Sequence, residues 1–161
     1  KLINLFRQKK FVESDYQDDL DRIIEKYNEK GYRDAKILAD SVVPYGENTV
    51  DVYINLEEGK KYYLSSIDWV GNTVYNTATL DQILDINPGE VYNQKLLKKR
   101  LEEDEDAVSN LYQNNGYLFS HLVPIEKNIH GDSIDLELRV IEGPQATINN
   151  VVINGNDRLY E

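Results

Sequence analysis

The sequence contains no cysteine and no methionine, and its 161 residues include only two histidines, His121 and His130. Without cysteine, disulfides and thiolate metal sites are excluded. Two histidines are too few for the usual histidine-based catalytic triads and zinc sites to be expected. We therefore expect no enzyme activity and no catalytic, cofactor-binding or metal site. Because the sequence starts at Lys1 and has no methionine, we expect it to be a piece of a longer protein.

Basic charge and long apolar runs are also scarce. Lysine and arginine number 18 against 29 acidic residues, which gives a net charge of −11. A protein that binds a phosphate backbone needs clustered basic side chains, so we expect no nucleic-acid partner. The sequence has no run of about 18 apolar residues, and we expect no membrane-spanning helix in it.

The acidic residues include one continuous run, Glu102–Asp106. Such a run could serve a cation site, or a hydrolase or sugar-binding module. On a helix, however, its carboxylates point in several directions, and it lacks the glycine-containing loop that calcium sites use. We interpret the run as a solvated face.

An internal repeat is the strongest positive feature of the sequence. Ile23–Tyr32 and Val108–Tyr117 both end in the pattern Tyr-x-x-x-Gly-Tyr, about 85 residues apart. Two further pairs of segments agree at an offset of about 84 residues, namely Glu57–Gly59 with Ile141–Gly143 and Ile67–Asn72 with Val151–Asn156. One repeated domain explains all three coincidences.

The repeat divides the sequence into three parts. Residues 1–59 form a partial unit, called unit one, and residues 60–143 form a complete unit, called unit two. Residues 144–161 are interpreted as the first strand of a following unit, with Val151 and Ile153 in the places of Ile67 and Trp69.

The predicted segments of unit one are a loop over 1–13, a helix over 15–30, and strands over 33–43 and 49–56. Ser14 and Gln17 have the spacing of a capping box, which places the start of the helix. The two strands alternate apolar and polar residues, with Ala35 and Ala39 on the apolar face, and are typical of an antiparallel hairpin.

The predicted segments of unit two are a strand over 63–70, a short helix, a longer helix, and two strands over 118–125 and 134–140. Asn76 and Asn93 are the predicted N-caps of the two helices, and the longer helix is expected to run on to Tyr112. In the first strand, Ser65, Ile67 and Trp69 are expected on one face.

This element order predicts an α+β fold with repeated strand-helix-helix-strand-strand units. Two antiparallel helices return the chain to its starting end, so the first and third strands run parallel and the sheet is mixed. The expected strand order is first, third, second, with both helices on one face and the second strand as an exposed edge.

Three motifs in order, Gly-Asn after the first strand, Tyr-x-x-x-Gly-Tyr at the end of the long helix and Glu-Gly after the last strand, resemble the polypeptide-transport-associated (POTRA) domain. The resemblance covers the whole sequence. It implies the periplasmic arm of an outer-membrane protein assembly factor, whose parent chain is embedded through a C-terminal β-barrel. The arm of a related outer-membrane translocation pore is the alternative.

The resemblance implies a non-catalytic, chaperone-like scaffold that binds unfolded outer-membrane proteins and accessory assembly lipoproteins. An exposed edge strand suits such clients because it offers backbone hydrogen bonds with little sequence demand. Pro124 weakens the second strand of unit two as an edge, so the predicted partner-binding edge is in unit one: Ala35, Lys36, Ile37, Leu38, Ala39, Asp40, Ser41, Val42 and Val43. The predicted joints between units are Gly59, Lys60 and Tyr62, followed by Gly143 and Pro144.

Overall fold

The computed structural model describes residues 10–153. The order of elements is α1 (Glu13–Asn28), β1 (Lys36–Tyr45), β2 (Thr49–Glu57), β3 (Tyr63–Val70), α2 (Thr77–Leu84), α3 (Gln94–Lys98), a π-helical turn (Lys99–Glu103), α4 (Val108–Asn114), β4 (His121–His130) and β5 (Ser133–Ile141). The predicted loop over 1–13 lies outside the described residues except at its end. None of the helices in residues 10–153 has the length and apolar character that crossing a bilayer requires.

Two of the three predicted helix starts are confirmed. The Asn76 side chain accepts a hydrogen bond from the backbone N–H of Thr79 at 2.9 Å, and Asn93 accepts one from Leu96 at 2.9 Å. The capping box in unit one is wrong, because α1 begins one residue before Ser14. Ser14 then lies inside the first turn, and its hydroxyl donates to the Asp15 carboxylate instead of accepting a backbone N–H.

The predicted strand order is confirmed in unit two. β3 and β5 pair in parallel, β4 and β5 pair antiparallel, and the sheet order is β3-β5-β4. In unit one, β1 and β2 form the predicted antiparallel hairpin. Part of the outer edge of β3 is covered, because Leu64 exchanges backbone hydrogen bonds with the loop at Gly89 and Glu90. Within the described residues, the rest of β3 and the outer edge of β4 have no strand partner.

β-bulges alter the predicted faces of the strands. A bulge between Leu64 and Ser66 places Leu64 in the core, where Ser65 had been expected. A bulge between Ile37 and Ala39 likewise turns Ala39 toward solvent. An extra residue in one strand shifts the alternation of all later side chains by one position. Ser65 and Ala39 were therefore assigned to the wrong face, whereas Ile67 and Trp69 pack against the core.

The core of unit two lies between one face of the sheet and the helices. Its fully buried side chains are Leu80, Leu84, Leu101, Val108, Tyr112, Ile134, Leu136 and Leu138. They come from α2, the π-helical turn, α4 and β5, so the central strand carries the largest share of the sheet's contribution. Burial of these side chains is the main stabilising term of the unit.

The second helix of unit two is interrupted, whereas the sequence predicted one continuous helix. After the π-helical turn, residues Asp104–Ala107 leave the helical conformation, and α4 then restarts at Val108. Arg100 lies over this break and forms an ion pair with Asp106 at 2.9 Å. The acidic run therefore spans the break: Glu102 and Glu103 end the π-helical turn, and Asp104–Asp106 lie in the non-helical segment that follows it.

After β5, residues 142–153 contain no assigned strand. Ile148, Val151 and Ile153 are strongly exposed there. The expected first strand of a following unit remains a prediction, because a strand needs a partner to pair with, and residues 154–161 lie outside the described part of the chain.

Candidate functional site: edge strands and the joint between units

The predicted partner-binding edge is an open strand. Lys36–Val43 lie in β1, and Ala35 immediately precedes it. Within residues 10–153, β1 pairs only with β2, so its other edge has free backbone groups. Leu38 and Val43 are exposed apolar side chains on this strand, while Ala35 is buried. The Tyr16 hydroxyl of α1 donates to the Asp40 carboxylate at 2.9 Å and holds the helix beside the strand.

β4 provides a second open edge, and a groove accompanies it. The groove lies between β4 and the helices, has a volume of about 510 Å³, and is lined by Tyr92, Gln94, Leu97, Lys98, Leu101, Glu102, Pro124 and Glu126. A second hollow of about 470 Å³ lies near the start of β4 and includes His121 and Val123. An extended peptide paired with β4 would place alternate side chains in this groove.

The joint between the two units is built on the turn that follows α1. Gly31 has φ +92°, and its carbonyl accepts a hydrogen bond from the backbone N–H of Tyr62 at 2.8 Å. A Cβ at Gly31 would lie 2.5 Å from the Val91 side chain and 3.0 Å from the Tyr62 carbonyl oxygen. Only glycine fits this approach of the two units, for reasons of both backbone conformation and space.

Charged and phenolic side chains close the same joint. Arg33 of unit one donates from Nε to the Glu126 carboxylate of unit two at 2.9 Å, and the Tyr92 hydroxyl donates to the same carboxylate at 2.9 Å. The Tyr62 hydroxyl donates to Asp34 at 2.8 Å. A third contact links Lys95 to Glu29 at 3.0 Å and to Glu25 at 3.5 Å. We call this set of contacts the charged latch.

The latch alters the ionisation of its members. Burial raises the pKa of the Glu126 carboxyl, but hydrogen bonds from Arg33 and Tyr92 outweigh burial and hold that pKa below its ordinary value. The hydrogen bond to Glu126 raises the pKa of Arg33. Burial, followed by the hydrogen bond to Glu126, raises the pKa of Tyr92 to about 12. Glu126 is therefore a carboxylate and Arg33 a cation at neutral pH.

The other predicted joint residues lie in connecting turns. Gly59 has φ +71°, and a Cβ there would lie 3.2 Å from the Asp34 Cβ, while Lys60 is exposed beside it. Gly143 has φ +67° and packs in the same way on Phe119. Pro144 is exposed. Tyr62 is buried, and it links the core of unit two to Asp34.

The three repeated motifs meet at one point of unit two. Glu142 of the Glu-Gly motif accepts hydrogen bonds from the backbone N–H groups of Thr73 and Val74 at 2.8 and 2.9 Å, just after the Gly-Asn turn. The Tyr112 hydroxyl donates to the same carboxylate at 3.2 Å. Burial raises the pKa of Glu142, but these hydrogen bonds outweigh it and lower the pKa below its ordinary value. The three motifs thus contribute to the packing of unit two through the Glu142 carboxylate.

Unit one has the counterpart of this contact. Burial, followed by the negative charge of Glu58, raises the pKa of Tyr27, and Tyr27 and Glu58 are the repeat equivalents of Tyr112 and Glu142. In the sequence these residues are recognisable only as part of the repeated motifs. Their pairing could have been found from the motif, because a tyrosine and a glutamate recur together in both units.

A family model described as "POTRA: Surface antigen variable number repeat" matches residues 1–59 and 62–143. Outer membrane protein assembly factor BamA of Neorickettsia risticii (strain Illinois) is 25% identical over 131 residues, which are 76% of this chain and 18% of that protein. BamA of Neisseria meningitidis serogroup B (strain ATCC BAA-335 / MC58) is 24% identical over 160 residues, 98% of this chain and 20% of that protein. The chain spans at most a fifth of the length of these two relatives.

Solved structures share the fold. The crystal structure of Haemophilus influenzae BamA POTRA3-5 matches with a TM-score of 0.66 and 24% identity, over 95% of this chain and 59% of that chain. BamA from Haemophilus ducreyi lacking POTRA domains 1-3 matches with a TM-score of 0.62 and 17% identity, over 85% of this chain and 24% of that chain. With the repeated motifs and the β3-β5-β4 sheet, these matches confirm the resemblance read from the sequence: the chain belongs to the POTRA family, with tandem units like those of BamA.

Proposed function

We propose that this chain is part of a non-catalytic periplasmic arm that binds unfolded outer-membrane proteins by edge-strand pairing and also holds accessory assembly lipoproteins. The observation that carries the proposal is the open edge of β1, in a chain whose relatives are named outer membrane protein assembly factors. An unfolded client offers unpaired backbone groups, and an open strand can satisfy them whatever the client's side chains are.

β1 is proposed as the stronger of the two edges. It carries exposed Leu38 and Val43 for contact with alternate client residues. Pro44 lies near its turn end, whereas Pro124 lies in the first half of β4 and leaves that strand without one backbone donor. The groove along β4 favours binding of client side chains, but the backbone donor missing at Pro124 disfavours a continuous ladder of hydrogen bonds.

The test is a titration with a ten-residue peptide from an outer-membrane barrel strand, followed by backbone amide shifts. We expect the largest shifts along 35–43. Two further peptides of the same sequence make the test specific for strand pairing: one is N-methylated at the odd-numbered residues and the other at the even-numbered residues. Strand pairing predicts that one peptide loses binding and the other retains it, because only every second N–H of a paired strand points at its partner. Equal binding of both would refute strand pairing, and larger shifts along β4 (His121–His130) would reverse the ranking of the edges.

Accessory partners are tested separately. Immobilised residues 62–143 and the whole chain are compared for retention of periplasmic lipoproteins. If lipoproteins bind the whole chain and not unit two alone, their site includes unit one or the joint. Retention of neither lipoproteins nor unfolded barrel proteins by the whole chain would contradict the scaffold proposal.

A further inference from the structure

The repeat allows each unit-one residue of the charged latch to be compared with its counterpart in unit two. Four charged residues of unit one contribute to the latch, and all four counterparts are uncharged: Glu25 corresponds to Asn110, Glu29 to Asn114, Arg33 to Leu118 and Asp34 to Phe119. The backbone around these positions is similar in both units, because α1 and α4 are each followed within three residues by a glycine of positive φ, Gly31 or Gly116. Unit two therefore presents an equivalent joint surface of different chemistry.

Part of the second joint is already formed. The backbone N–H of Ala146 donates to the Gly116 carbonyl at 2.7 Å, as Tyr62 donates to Gly31 at 2.8 Å in the first joint. Gln145 adds a hydrogen bond from its side chain to the Asn115 carbonyl at 2.9 Å. The chain after Gly143 is thus led across unit two along the same route that the chain after Gly59 takes across unit one.

The large and small side chains are also on opposite sides of the two joints. In the first joint a large residue of the later unit, Tyr62, meets the small Asp34. In the second joint the equivalent of Tyr62 is the small Ala146, and the equivalent of Asp34 is the large Phe119. Phe119 is 61% exposed and its neighbour Leu118 is 57% exposed. Two adjacent large apolar side chains are left uncovered where the first joint is closed.

We propose that Leu118 and Phe119 are the docking surface for a repeat unit that follows unit two in the parent chain. That unit meets them with apolar side chains at the positions where unit two presents Tyr92 and Glu126 to unit one. The docking is independent of client binding, because it involves the turn before β4 and not an open strand edge.

Two observations select a following unit as the occupant. The first is continuity, since residues 143–146 already make the backbone contact of a closed joint. The second is the pattern of the next residues: Ile148, Val151 and Ile153 stand where unit two has Leu64, Ile67 and Trp69, which pack in or against its core. These exposed residues have the spacing of a first strand that belongs to a unit of its own.

The test compares two proteins: this chain, and a longer piece of the parent chain that also contains the next repeat. Neither protein has any cysteine other than the one introduced. Leu118→Cys and Phe119→Cys are made singly, and their alkylation rates are measured with a small maleimide. We expect both cysteines to react about tenfold more slowly in the extended chain, which corresponds to a joint closed about nine-tenths of the time. Each variant keeps the other apolar residue, and both positions are exposed, so folding of unit two is preserved.

Val123→Cys is the matched control. Its counterpart in unit one, Leu38, remains 54% exposed although the first joint is closed, so Val123→Cys should react equally in both chains. Equal rates at positions 118 and 119 in the two chains would overturn the proposal. Protection that disappears at about 0.5 M salt, where exposed charges are screened, would overturn its apolar chemistry. Protection in the shorter chain that grows with concentration would identify a second copy as the occupant and refute the following unit.

Discussion

The contact between Arg33 and Glu126 is the part of the charged latch whose energy can be tested most directly. The two side chains are 29% and 20% exposed, so their charge-assisted hydrogen bonds are only partly screened by water. A hydrogen bond to a charged group contributes about 1.5–3 kcal/mol when shielded, and an exposed ion pair about 0–1 kcal/mol. We expect a coupling energy between these limits, about 1–2 kcal/mol. This energy changes the ratio of closed to open joints by a factor of about 5–30.

A double-mutant cycle with Arg33→Leu and Glu126→Gln measures this coupling. Leucine is the residue that unit two has at the equivalent position, and glutamine keeps the shape of the glutamate. The chain has one tryptophan, Trp69 in β3, so its fluorescence during urea unfolding reports on unit two. The coupling energy is the difference between the loss of unfolding free energy in the double variant and the sum of the losses in the two single variants.

The control is a cycle on Lys98 and Glu103, an ion pair of unit two with 2.9 Å between its charged atoms and side chains 66% and 47% exposed. Its coupling should be indistinguishable from zero. A coupling between Arg33 and Glu126 no larger than that of this exposed pair would refute the charged latch as an energetic link between the units.

The latch should also respond to pH in one direction. The folded pKa of Glu126 lies below its ordinary value of 4.5, so Glu126 stabilises the closed joint fully above pH 4.5. That contribution is lost as the pH falls below 4.5 and through the lowered folded pKa. The coupling from the double-mutant cycle should therefore decrease on acidification, and an increase would contradict the assigned ionisation.

Three further predictions concern unit two, each measured by urea unfolding. Gly71→Ala should destabilise it by more than Gly131→Ala, because a Cβ at Gly71 would overlap the Val140 carbonyl oxygen, while nothing lies within 4 Å at Gly131. Equal losses would show that the crowding at Gly71 relaxes freely. Glu142→Gln should lower the unfolding free energy by about 1–3 kcal/mol at neutral pH, since two backbone N–H groups lose their carboxylate acceptor, and the difference should shrink below pH 4.5. Leu136→Ala should cost about 2–5 kcal/mol, as expected for a cavity at a fully buried site, and a loss under 1 kcal/mol would place Leu136 outside the core.

The sequence predicted the sheet order because the element order and the repeat leave few ways to connect the strands. It did not predict the bulges at residues 38 and 65, since alternation alone cannot reveal an extra residue in a strand. The break after Glu103 was missed for a similar reason. The apolar spacing of Leu97, Leu101 and Val108 fits one long helix, whereas the structure restarts the helix at Val108.

The sequence predicted only those joint residues that lie in the connection between the units. Gly59, Lys60 and Tyr62 were found because they connect the units, but Glu126 and Lys95 lie far from that connection in sequence. A partial signal did exist. The charged Arg33 and Asp34 stand where unit two has the apolar Leu118 and Phe119, which predicts that the two units need not share a partner surface, but this difference does not identify Glu126 or Lys95 as the partners. A difference at equivalent surface positions indicates that each unit meets a different neighbour.

The central position of β5 also has a consequence for how unit two folds. β5 is the last strand of the unit in the chain, yet both β3 and β4 pair with it and not with each other. During synthesis from the N-terminus, β3 therefore has no strand partner until the whole helical segment and β4 have been made. The parallel pairing of Tyr63 with Ser133 closes the longest loop in the unit, and such distant contacts slow folding. We expect unit two to fold in one late step once β5 is available, whereas the hairpin of β1 and β2 can form as soon as Glu57 is reached.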